Sequence, residues 1–278
     1  MRAATPRPAP RARSRREIPY WLLAAILIAA FLGWLIANNG DYASIFHALR
    51  RGVLVTLWVS AIAFALAALL GLVVAIGRRS RFRIVREVAT FYVEIVRGIP
   101  VLVLLFYIAF VGAPQMVILW NTVFADPIAS GWLPAMNVRG FDFTWRAIAA
   151  LMISYSAFLA EIFRAGIEAV PLGQVEAAES LGLSRGRTFR FVILPQAIRI
   201  VVPPLGNDFV AMIKDSALVS ALGVQDITQL GKVYSASTFL FFETYNVVAF
   251  LYLIMTVSLS LVVRGLEGHL KRRGWPGA

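Results

Sequence analysis

The feature that most constrains this chain is a series of six long apolar stretches. An α-helix rises 1.5 Å per residue, so about 20 apolar residues cross a hydrocarbon layer about 30 Å thick. Hydrophobic residues make up 59% of the chain, above the roughly 45–50% of soluble domains. We therefore predict an all-α polytopic membrane protein with about six transmembrane helices. The predicted spans are Tyr20–Ala37, Val53–Ile76, Val88–Val111, Arg146–Gly166, Phe191–Lys214 and Tyr245–Val263.

The positive charges predict the orientation of these spans. Lysine and arginine total 27 against 15 acidic residues, a formal net charge of +12. Such an excess indicates either nucleic-acid binding or cytoplasmic loops that follow the positive-inside rule. If all six stretches cross, four large basic clusters fall on one side, so both termini are predicted to be cytoplasmic and nucleic-acid binding is not expected. The clusters are Arg2–Arg16 before the first span, Arg78–Arg86 before the third, Arg185–Arg190 before the fifth and Lys271–Arg273 after the sixth.

The opposite side receives two less basic segments, Gly112–Trp145 and Asp215–Thr244. Trp120, Trp132 and Trp145 in the first of them are typical of an interfacial aromatic belt. At the amino terminus, residues 1–19 form a basic arm rich in Pro and Arg, which is predicted to be disordered and cytoplasmic. The apolar stretch that follows could also be a cleaved signal peptide, but its length favours a retained helix.

Several kinds of chemistry are excluded by composition. The chain has no cysteine, and His47 and His269 belong to no metal-ligand pattern, so a metal site is not expected. No phosphate-binding GxxxxGK[ST] loop occurs. We therefore predict no catalytic residue, no enzyme activity and no cofactor; any ATP would be bound by a partner.

A polar segment, residues 165–190, lies between the fourth and fifth spans and has a helical pattern of its own. Pro171 suits the start of a short helix, and Gly182 suits its end. Val175, Ala178 and Leu181 recur every three residues and predict one apolar face. We predict a short amphipathic helix over residues 171–183, lying on the cytoplasmic surface; covering lipid headgroups is the simplest alternative role for it.

Several motifs of this sequence resemble those of a known protein family. Glu176-Ala177-Ala178, Gly182 and Ile193-Leu194-Pro195 resemble the EAA motif of ABC importer permeases, the inner membrane components of binding-protein-dependent transport systems. The polar amino-acid branch (histidine, glutamine, glutamate, arginine and opine uptake) is similar in several flanking segments, and the resemblance covers roughly Val53–Arg264. Lys214-Asp215-Ser216-Ala217 departs mildly from the Lys-x-Thr-Ser-Leu form of that branch. The flanking segments are Glu94–Pro100, Glu161–Ile167, Val170–Gln174, Ile193–Ala197 and Lys214–Leu218.

The resemblance implies a function and a set of partners. The chain would be the permease subunit of an ATP-driven importer of polar amino acids in the bacterial inner membrane. It would assemble with a cytoplasmic ABC ATPase dimer, a second permease subunit that is the same or a related chain, and an extracytoplasmic amino-acid-binding protein. The short helix would be the coupling helix that docks on the ATPase. The expected coupling residues are Glu176, Ala177, Ala178, Leu181, Gly182 and Pro195.

The fifth span carries the expected substrate pathway. Pro195, Pro203 and Pro204 each remove a backbone donor, so a kink or break is expected there. Asp208 would lie about 25 Å from Phe191 along the helix, and ionisable residues inside a membrane mark pathways by default. The alternative for Asp208 is a structural carboxylate paired with Arg199 or Lys214. The pathway candidates are Asn207, Asp208, Lys214, Asp215, Ser216 and Ser220, the last four expected near the outer end.

Two charged pairs are predicted near the cytoplasmic ends of helices, Glu94 with Arg97 and Glu161 with Arg164. Their i,i+3 spacing favours local pairing. A role in packing at the translocation gate, together with Pro100, is the second possibility.

Two other functions compete with the importer. An ion-coupled secondary transporter or channel could use Asp208 and a broken fifth helix as an ion site, but no second proline-interrupted span accompanies it, and Glu176 has no purpose there. The second competitor is a membrane anchor or receptor that does not transport. Such a protein needs only plain apolar helices, so the predicted helix breaks and buried charges argue against it. The predicted organisation is a basic arm (1–19), an extra N-terminal helix (20–37), an importer domain (53–264) containing the coupling helix (171–183), and a cytoplasmic tail (265–278).

Overall fold

The computed structural model describes residues 20–272, which form helices and connecting turns with no strand among them. The all-α prediction is therefore confirmed, whereas the basic arm of residues 1–19 and the end of the tail, residues 273–278, lie outside the described residues. The helices are α1 (Tyr20–Asn38), α2 (Gly40–Arg78), α3 (Arg83–Gly98), α4 (Val101–Tyr107), α5 (Ala113–Val123), α6 (Ala125–Ala129), α7 (Phe143–Glu168), α8 (Leu172–Ser180), α9 (Arg185–Thr188), α10 (Leu194–Asp215), α11 (Ile227–Thr238) and α12 (Phe241–Arg272).

Five segments among the described residues are long and apolar enough to cross a membrane. Helix α1 contributes a shorter apolar helix, Leu22–Asn38, so the predicted count of six rests on α1. A single residue separates α1 from α2. The side chain of that residue, Asn39, accepts a hydrogen bond from the backbone N–H of Asp41 (2.9 Å) and caps α2. The five segments are Gly40–Arg78, Val101–Val123, Phe143–Glu168, Arg185–Leu222 and Phe241–Gly268.

The third predicted span, Val88–Val111, was wrong in position. Helix α3 ends at Gly98, and the chain is extended at Ile99 (φ −100°, ψ 130°) because Pro100 follows. The polar residues Arg86, Glu94 and Arg97 share one face of α3, so this helix is amphipathic rather than uniformly apolar. The spanning segment begins only at Val101 and continues through a π-helix, Ile108–Gly112, into α5. The loop predicted from Gly112 is therefore largely helical as far as Ala129.

The long helix α2 packs along α7 and forms the centre of the bundle. Small residues allow close approach of the two backbones, as is common in membrane helix pairs. A Cβ at Gly71 would lie 2.8 Å from the carbonyl oxygen of Ser156, so glycine is required there. Buried Ala63 and Ala67 pack with Leu151 and Leu159 in the largest core cluster.

The fifth predicted span is longer than expected. Helix α10 continues through Pro203 and Pro204 without ending, and a 3₁₀-helix, Ser216–Leu222, extends the apolar segment beyond the predicted end at Lys214. Gly223 then adopts a left-handed conformation (φ 80°) and turns the chain toward α11. The outer segment predicted as Asp215–Thr244 is thus a continuation of the span followed by a helix that packs on α2 and α12.

Candidate functional site

A helix is present where the sequence predicted one between the fourth and fifth spans. Helix α8 runs from Leu172 to Ser180, with Pro171 as its N-cap. Its end is closed by two backbone hydrogen bonds, from Gly182 N to Glu179 O (2.9 Å) and from Leu183 N to Ala178 O (3.2 Å). This is the Schellman arrangement, which requires a left-handed residue, and Gly182 has φ 80°. The turn after α8 is therefore set by glycine.

The exposed surface of α8 differs from the predicted apolar face. Ala178 is buried and Val175 partly buried, so these two residues pack inward against the protein's own chain. Leu181 was predicted on the same face but is 83% exposed, because the helix ends at Ser180 and helical spacing no longer applies. Leu172, at the other end of the helix, is 76% exposed. The free surface consists of these two leucines with Glu176, Ala177 and Glu179 between them.

Helix α8 is held against the start of α10. Gln196 donates from Nε2 to Oε1 of Gln174 (2.5 Å) and to the backbone oxygen of Val192 (3.0 Å). Pro195 is the second residue of α10. A π-helix, Phe189–Ile193, contacts both α8 and α10. A displacement of α8 would therefore reach α10 through a short and continuous contact.

A cluster of ions lies at the end of α7 that precedes α8. Glu161 accepts hydrogen bonds from Arg78 of α2 and from Arg164, the latter with Nη2 to Oε2 at 2.7 Å. Arg164 Nη1 also donates to Glu168 (2.6 Å). The i,i+3 pair predicted for Glu161 and Arg164 is present, but the carboxylate also joins α7 to α2. This cluster fixes the base from which the α8 segment projects.

The predicted pair between Glu94 and Arg97 is not formed among the described residues. Arg97 points toward α7 instead, with Nη1 4.0 Å from Oε1 of Glu161 and the guanidinium 5.6 Å from the centre of the Phe158 ring. Glu161 is partly buried whereas Glu94 is exposed, so the less hydrated carboxylate attracts the guanidinium more strongly. Pro100 caps the following helix and ends the segment that carries Arg97.

Helix α3 is attached to α7 by one tyrosine as well. The hydroxyl of Tyr92 lies 2.6 Å from Oγ of Ser156 and donates to the backbone oxygen of Ile153 (3.2 Å). Burial raises the pKa of the Tyr92 phenol above its usual value, and the hydrogen bond with Ser156 lowers it by a smaller amount. The hydroxyl therefore stays protonated and serves as a fixed link between the two helices.

A row of polar side chains follows one side of α10. Arg199, Asn207 and Lys214 are exposed and are separated by eight and seven residues, about two helical turns each. Asp208 is partly buried beside them. Within residues 20–272, Asp208 forms no hydrogen bond or ion pair, so its predicted pairing with Arg199 or Lys214 is absent. A row of polar groups along an otherwise apolar span is the geometry of a water-filled path or a subunit contact.

Asp215 lies deeper than the sequence predicted. It accepts a hydrogen bond from the hydroxyl of Tyr155 (2.7 Å), and Tyr155 is the thirteenth of the 26 residues of α7. Lys214 and Asp215 are thus level with the middle of a spanning helix rather than near an outer end. The predicted position near the outer end was wrong because the span extends to Leu222.

Two predicted pathway residues do not face an open path. Ser216 is fully buried, and its hydroxyl donates to the backbone oxygen of Ile213 (2.7 Å). Ser220 is also buried. Both serines lie in the 3₁₀-helix Ser216–Leu222 and face the protein's own core. Asn207, Asp208, Lys214 and Asp215 remain as polar groups on or beside the exposed side of α10.

Two further polar residues were not among the predicted site residues. Arg146 is 7% exposed, and its guanidinium donates to the backbone oxygens of Phe141 (2.7 Å), Ala109 (3.0 Å) and Val138 (2.5 Å). Asp226 is fully buried, caps α11 through Gln229 N (2.8 Å) and accepts from the hydroxyl of Tyr252 (3.2 Å). Burial raises the pKa of Asp226, and these hydrogen bonds oppose the rise. A charged residue at the edge of an apolar span was the available signal for Arg146.

These features define a polytopic membrane permease whose α8 projects from an ion-paired base and contacts a helix that carries a polar row. The chain belongs to the family described as the binding-protein-dependent transport system inner membrane component, whose pattern matches residues 67–274. The expected family resemblance is therefore confirmed.

Individual relatives agree with this membership. The chain is 36% identical over 217 residues to the probable glutamine ABC transporter permease protein GlnM of Bacillus subtilis (strain 168), covering 78% of this chain and 90% of the relative. It is 33% identical over 234 residues to the glutamine transport system permease protein GlnP of Escherichia coli (strain K12), covering 83% and 98%.

Solved structures show the same fold. A crystal structure of an amino acid ABC transporter with histidines has a TM-score of 0.69 and 34% sequence identity, covering 82% of this chain and 95% of that one. An inward-facing structure of the MetNI methionine ABC transporter has a TM-score of 0.58 at 20% identity, covering 80% and 95%. At that identity the second likeness concerns the fold alone.

Proposed function

We propose that this chain is the permease subunit of an ATP-driven importer that moves polar amino acids across the bacterial inner membrane. Two permease subunits would enclose the path, a cytoplasmic ABC ATPase dimer would supply the energy, and an extracytoplasmic binding protein would deliver the amino acid. The relatives' names include glutamine and arginine transport, which supports a polar amino acid as the substrate. The basic clusters support an orientation with both termini in the cytoplasm.

The observation that carries this proposal is the exposed surface of α8 on a rigid base. Leu172 and Leu181 present apolar surface at the two ends of a nine-residue helix, with carboxylates between them. Such a short ridge fits a groove in a partner that encloses it. The contact of Gln174 with Gln196 ties α8 to α10, and the ion cluster around Glu161 ties the preceding α7 to α2. A moving partner would therefore displace α10 together with α8.

The polar row of α10 supports a path shared with a second permease subunit. Exposed Lys214 would be costly against lipid hydrocarbon, so it faces water or protein in the assembled transporter. Lys214 offers a cation for the carboxylate of an amino acid, and Asp208 and Asp215 offer carboxylates for its ammonium group. Tyr155 fixes the position of Asp215. A zwitterionic substrate would find complementary charges near the middle of the membrane.

The energy for transport would be supplied by a partner subunit and not by this chain. The sequence contains no phosphate-binding loop of its own, so ATP would be bound by the ATPase partner. Closure of the ATPase dimer would draw the two α8 helices together and open the path to the outside, and hydrolysis would reverse the movement. This chain contributes the geometry of the path and the transmission of movement, and no bond-making step.

Uptake in proteoliposomes tests the proposal. The full chain is reconstituted with its ATPase and binding protein, and entry of labelled glutamine is followed with and without ATP. We expect uptake that requires ATP and the ATPase and that persists when proton and sodium gradients are collapsed. Vesicles with the permease alone are the control. Uptake driven by an ion gradient without ATP would contradict the proposal and favour a secondary transporter.

A further inference from the structure

An apolar groove of about 530 Å³ lies beside the base of α8. Its walls come from three helices and the segment after α8: Val73 and Ile76 of α2, Val85 of α3, Ile167 of α7, and Phe189. Gly77 at the end of α2 leaves room for this arrangement, since a Cβ there would lie 3.3 Å from Cβ of Ala89. Most of the apolar wall therefore comes from helices that pack together in the fold of this chain.

The groove has a basic mouth. Arg79 and Ser80 line it in the turn after α2; Arg81 follows in the same turn and Arg83 begins α3. Arg79 is about half exposed, and its Nη1 lies 3.8 Å from Oε1 of Glu168. That distance is too long for a hydrogen bond, and the other oxygen of Glu168 is bonded to Arg164 at 2.6 Å, so the N–H groups of Arg79 can bind another acceptor. The charge of the mouth is complementary to phosphate.

The walls of the groove continue into an exposed apolar surface. Val73 and Ile76 are 65% and 60% exposed within a membrane-spanning segment. Helix α3 extends this surface with an exposed apolar stripe whose spacing of four, three and four residues keeps it on one side of the helix. Arg86, Glu94 and Arg97 occupy a different face. The stripe consists of Ile84, Val88, Phe91 and Ile95.

We propose that this groove binds one anionic phospholipid of the surrounding membrane. An acyl chain lies against Val73, Ile76 and Phe189, and the phosphate is held between the Arg79 guanidinium and the Ser80 hydroxyl. The inference rests on the proposed function only in that the chain must be embedded in a membrane. Because Ile167 precedes α8 and Phe189 follows it, the bound lipid supports the base of the coupling segment.

Lipid counting by native mass spectrometry tests the site. The purified full-length chain is titrated with dioleoyl-phosphatidylglycerol or dioleoyl-phosphatidylcholine, and the retained lipids are counted. We expect preferential retention of phosphatidylglycerol and a loss of about fivefold in its apparent affinity for Arg79→Gln, the effect of about one surface arginine. Arg139→Gln, an exposed arginine far from the groove in the chain, is the matched control and should retain lipid as the unchanged protein does.

A second pair of variants tests the apolar part of the groove. Val85→Trp should fill it and displace the lipid, whereas Leu69→Trp places the same ring on a lipid-exposed position of α2 outside the groove and should not. Equal retention of the two lipids, or no loss for either groove variant, would overturn the proposal. In a parallel purification of the chain together with its ATPase, lipid retained by Val85→Trp with loss of the bound ATPase would overturn the lipid site and assign the groove to the ATPase.

The lipid measurement needs neither nucleotide nor amino acid, so its failure is separate from a failure of the transport proposal. Retention of phosphatidylglycerol without ATP-driven uptake would overturn the importer and leave the lipid site in place. Uptake without selective lipid retention would do the reverse. If Val85→Trp is not recovered as a folded protein, the comparison of Arg79→Gln with Arg139→Gln decides the question alone.

Discussion

The guanidinium of Arg146 donates a hydrogen bond of 3.0 Å to the backbone oxygen of Ala109. Ala109 lies in the π-helix Ile108–Gly112, where the N–H of Ala113 bonds to Ile108 and leaves the oxygen of Ala109 without its usual partner. Arg146 also holds two oxygens of the loop before α7. The irregular helix and the buried charge therefore satisfy each other, which explains how both are tolerated in an apolar segment.

Loss of Arg146 should destabilise the protein. Arg146→Met removes three hydrogen bonds from a charged donor and leaves the oxygen of Ala109 unpaired, at an expected cost of about 2–4 kcal/mol. Arg146→Lys should recover part of this loss, because one ammonium group reaches fewer oxygens. The apparent melting temperature in detergent measures both effects. Arg139→Met, at an exposed position, is the control, and equal melting temperatures for Arg146→Met and Arg139→Met would refute the structural role.

The carboxylate of Glu161 should be needed for the junction of α2 and α7. Glu161→Gln leaves Arg78 and Arg164 without their shared anion, and we expect a cost of about 1–3 kcal/mol together with slower uptake. Thermal unfolding and initial uptake rates provide the measurement. Glu94→Gln, which removes an exposed carboxylate from α3, should leave both unchanged. A similar small effect for the two variants would show that the ion cluster is dispensable.

Asp226 should give the stability a specific pH dependence. Burial raises its pKa above the ordinary 3.8, so the folded state favours the neutral acid. The stability that the protonated Asp226 carboxyl gives the folded state is complete below pH 3.8. It is lost as the pH rises through the raised pKa of Asp226. Asp226→Asn keeps a capping oxygen without the charge and should melt higher than the unchanged protein at pH 7, with the difference shrinking toward pH 4.

Asp226→Ala separates the cap from the charge. It removes the acceptor for Gln229 N and should cost about 1 kcal/mol relative to Asp226→Asn at any pH. A melting temperature of Asp226→Asn that stays below that of the unchanged protein at pH 7 would show that the carboxylate is charged and favourable in the fold.

Replacing Lys214 should change amino-acid uptake more than it changes ATP hydrolysis by the ATPase partner. Lys214→Met removes the cation proposed for the substrate carboxylate, and we expect uptake at low amino-acid concentration to fall about tenfold. ATP hydrolysis in the absence of substrate should not change. Lys232→Met, an exposed lysine of α11, is the matched control. Normal uptake of every amino acid tested would remove Lys214 from the path.

Local features were predictable from sequence, and long-range ones were not. The end of α8 follows from Gly182, because a left-handed turn has its own residue preference. The predicted position of the third span was wrong because the average hydropathy of Val88–Val111 does not show that the charges of α3 share one face. Pro100 was the available signal for the break.

Contacts across the bundle left no sequence signal. Arg78 and Glu161 are 83 residues apart, and no helical spacing connects them, whereas the i,i+3 pair of Glu161 and Arg164 could be read directly. Ser216 and Ser220 are buried in a 3₁₀-helix that follows α10 directly and that the sequence pattern did not predict. The residues of the polar row could be named from the sequence. Their depth in the spanning segment follows only from the contact between Asp215 and Tyr155.

The ratio of amino-acid uptake to ATP hydrolysis, measured in the same proteoliposomes, tests the coupling role of α8 most directly. Glu176→Ala removes an exposed carboxylate of α8, and Gly182→Ala strains its left-handed turn by about 1–2 kcal/mol. We predict that both variants lower the ratio at least severalfold while the protein remains in the membrane. Glu87→Ala, an exposed carboxylate of α3, should leave the ratio unchanged. A normal ratio for both α8 variants would contradict the account.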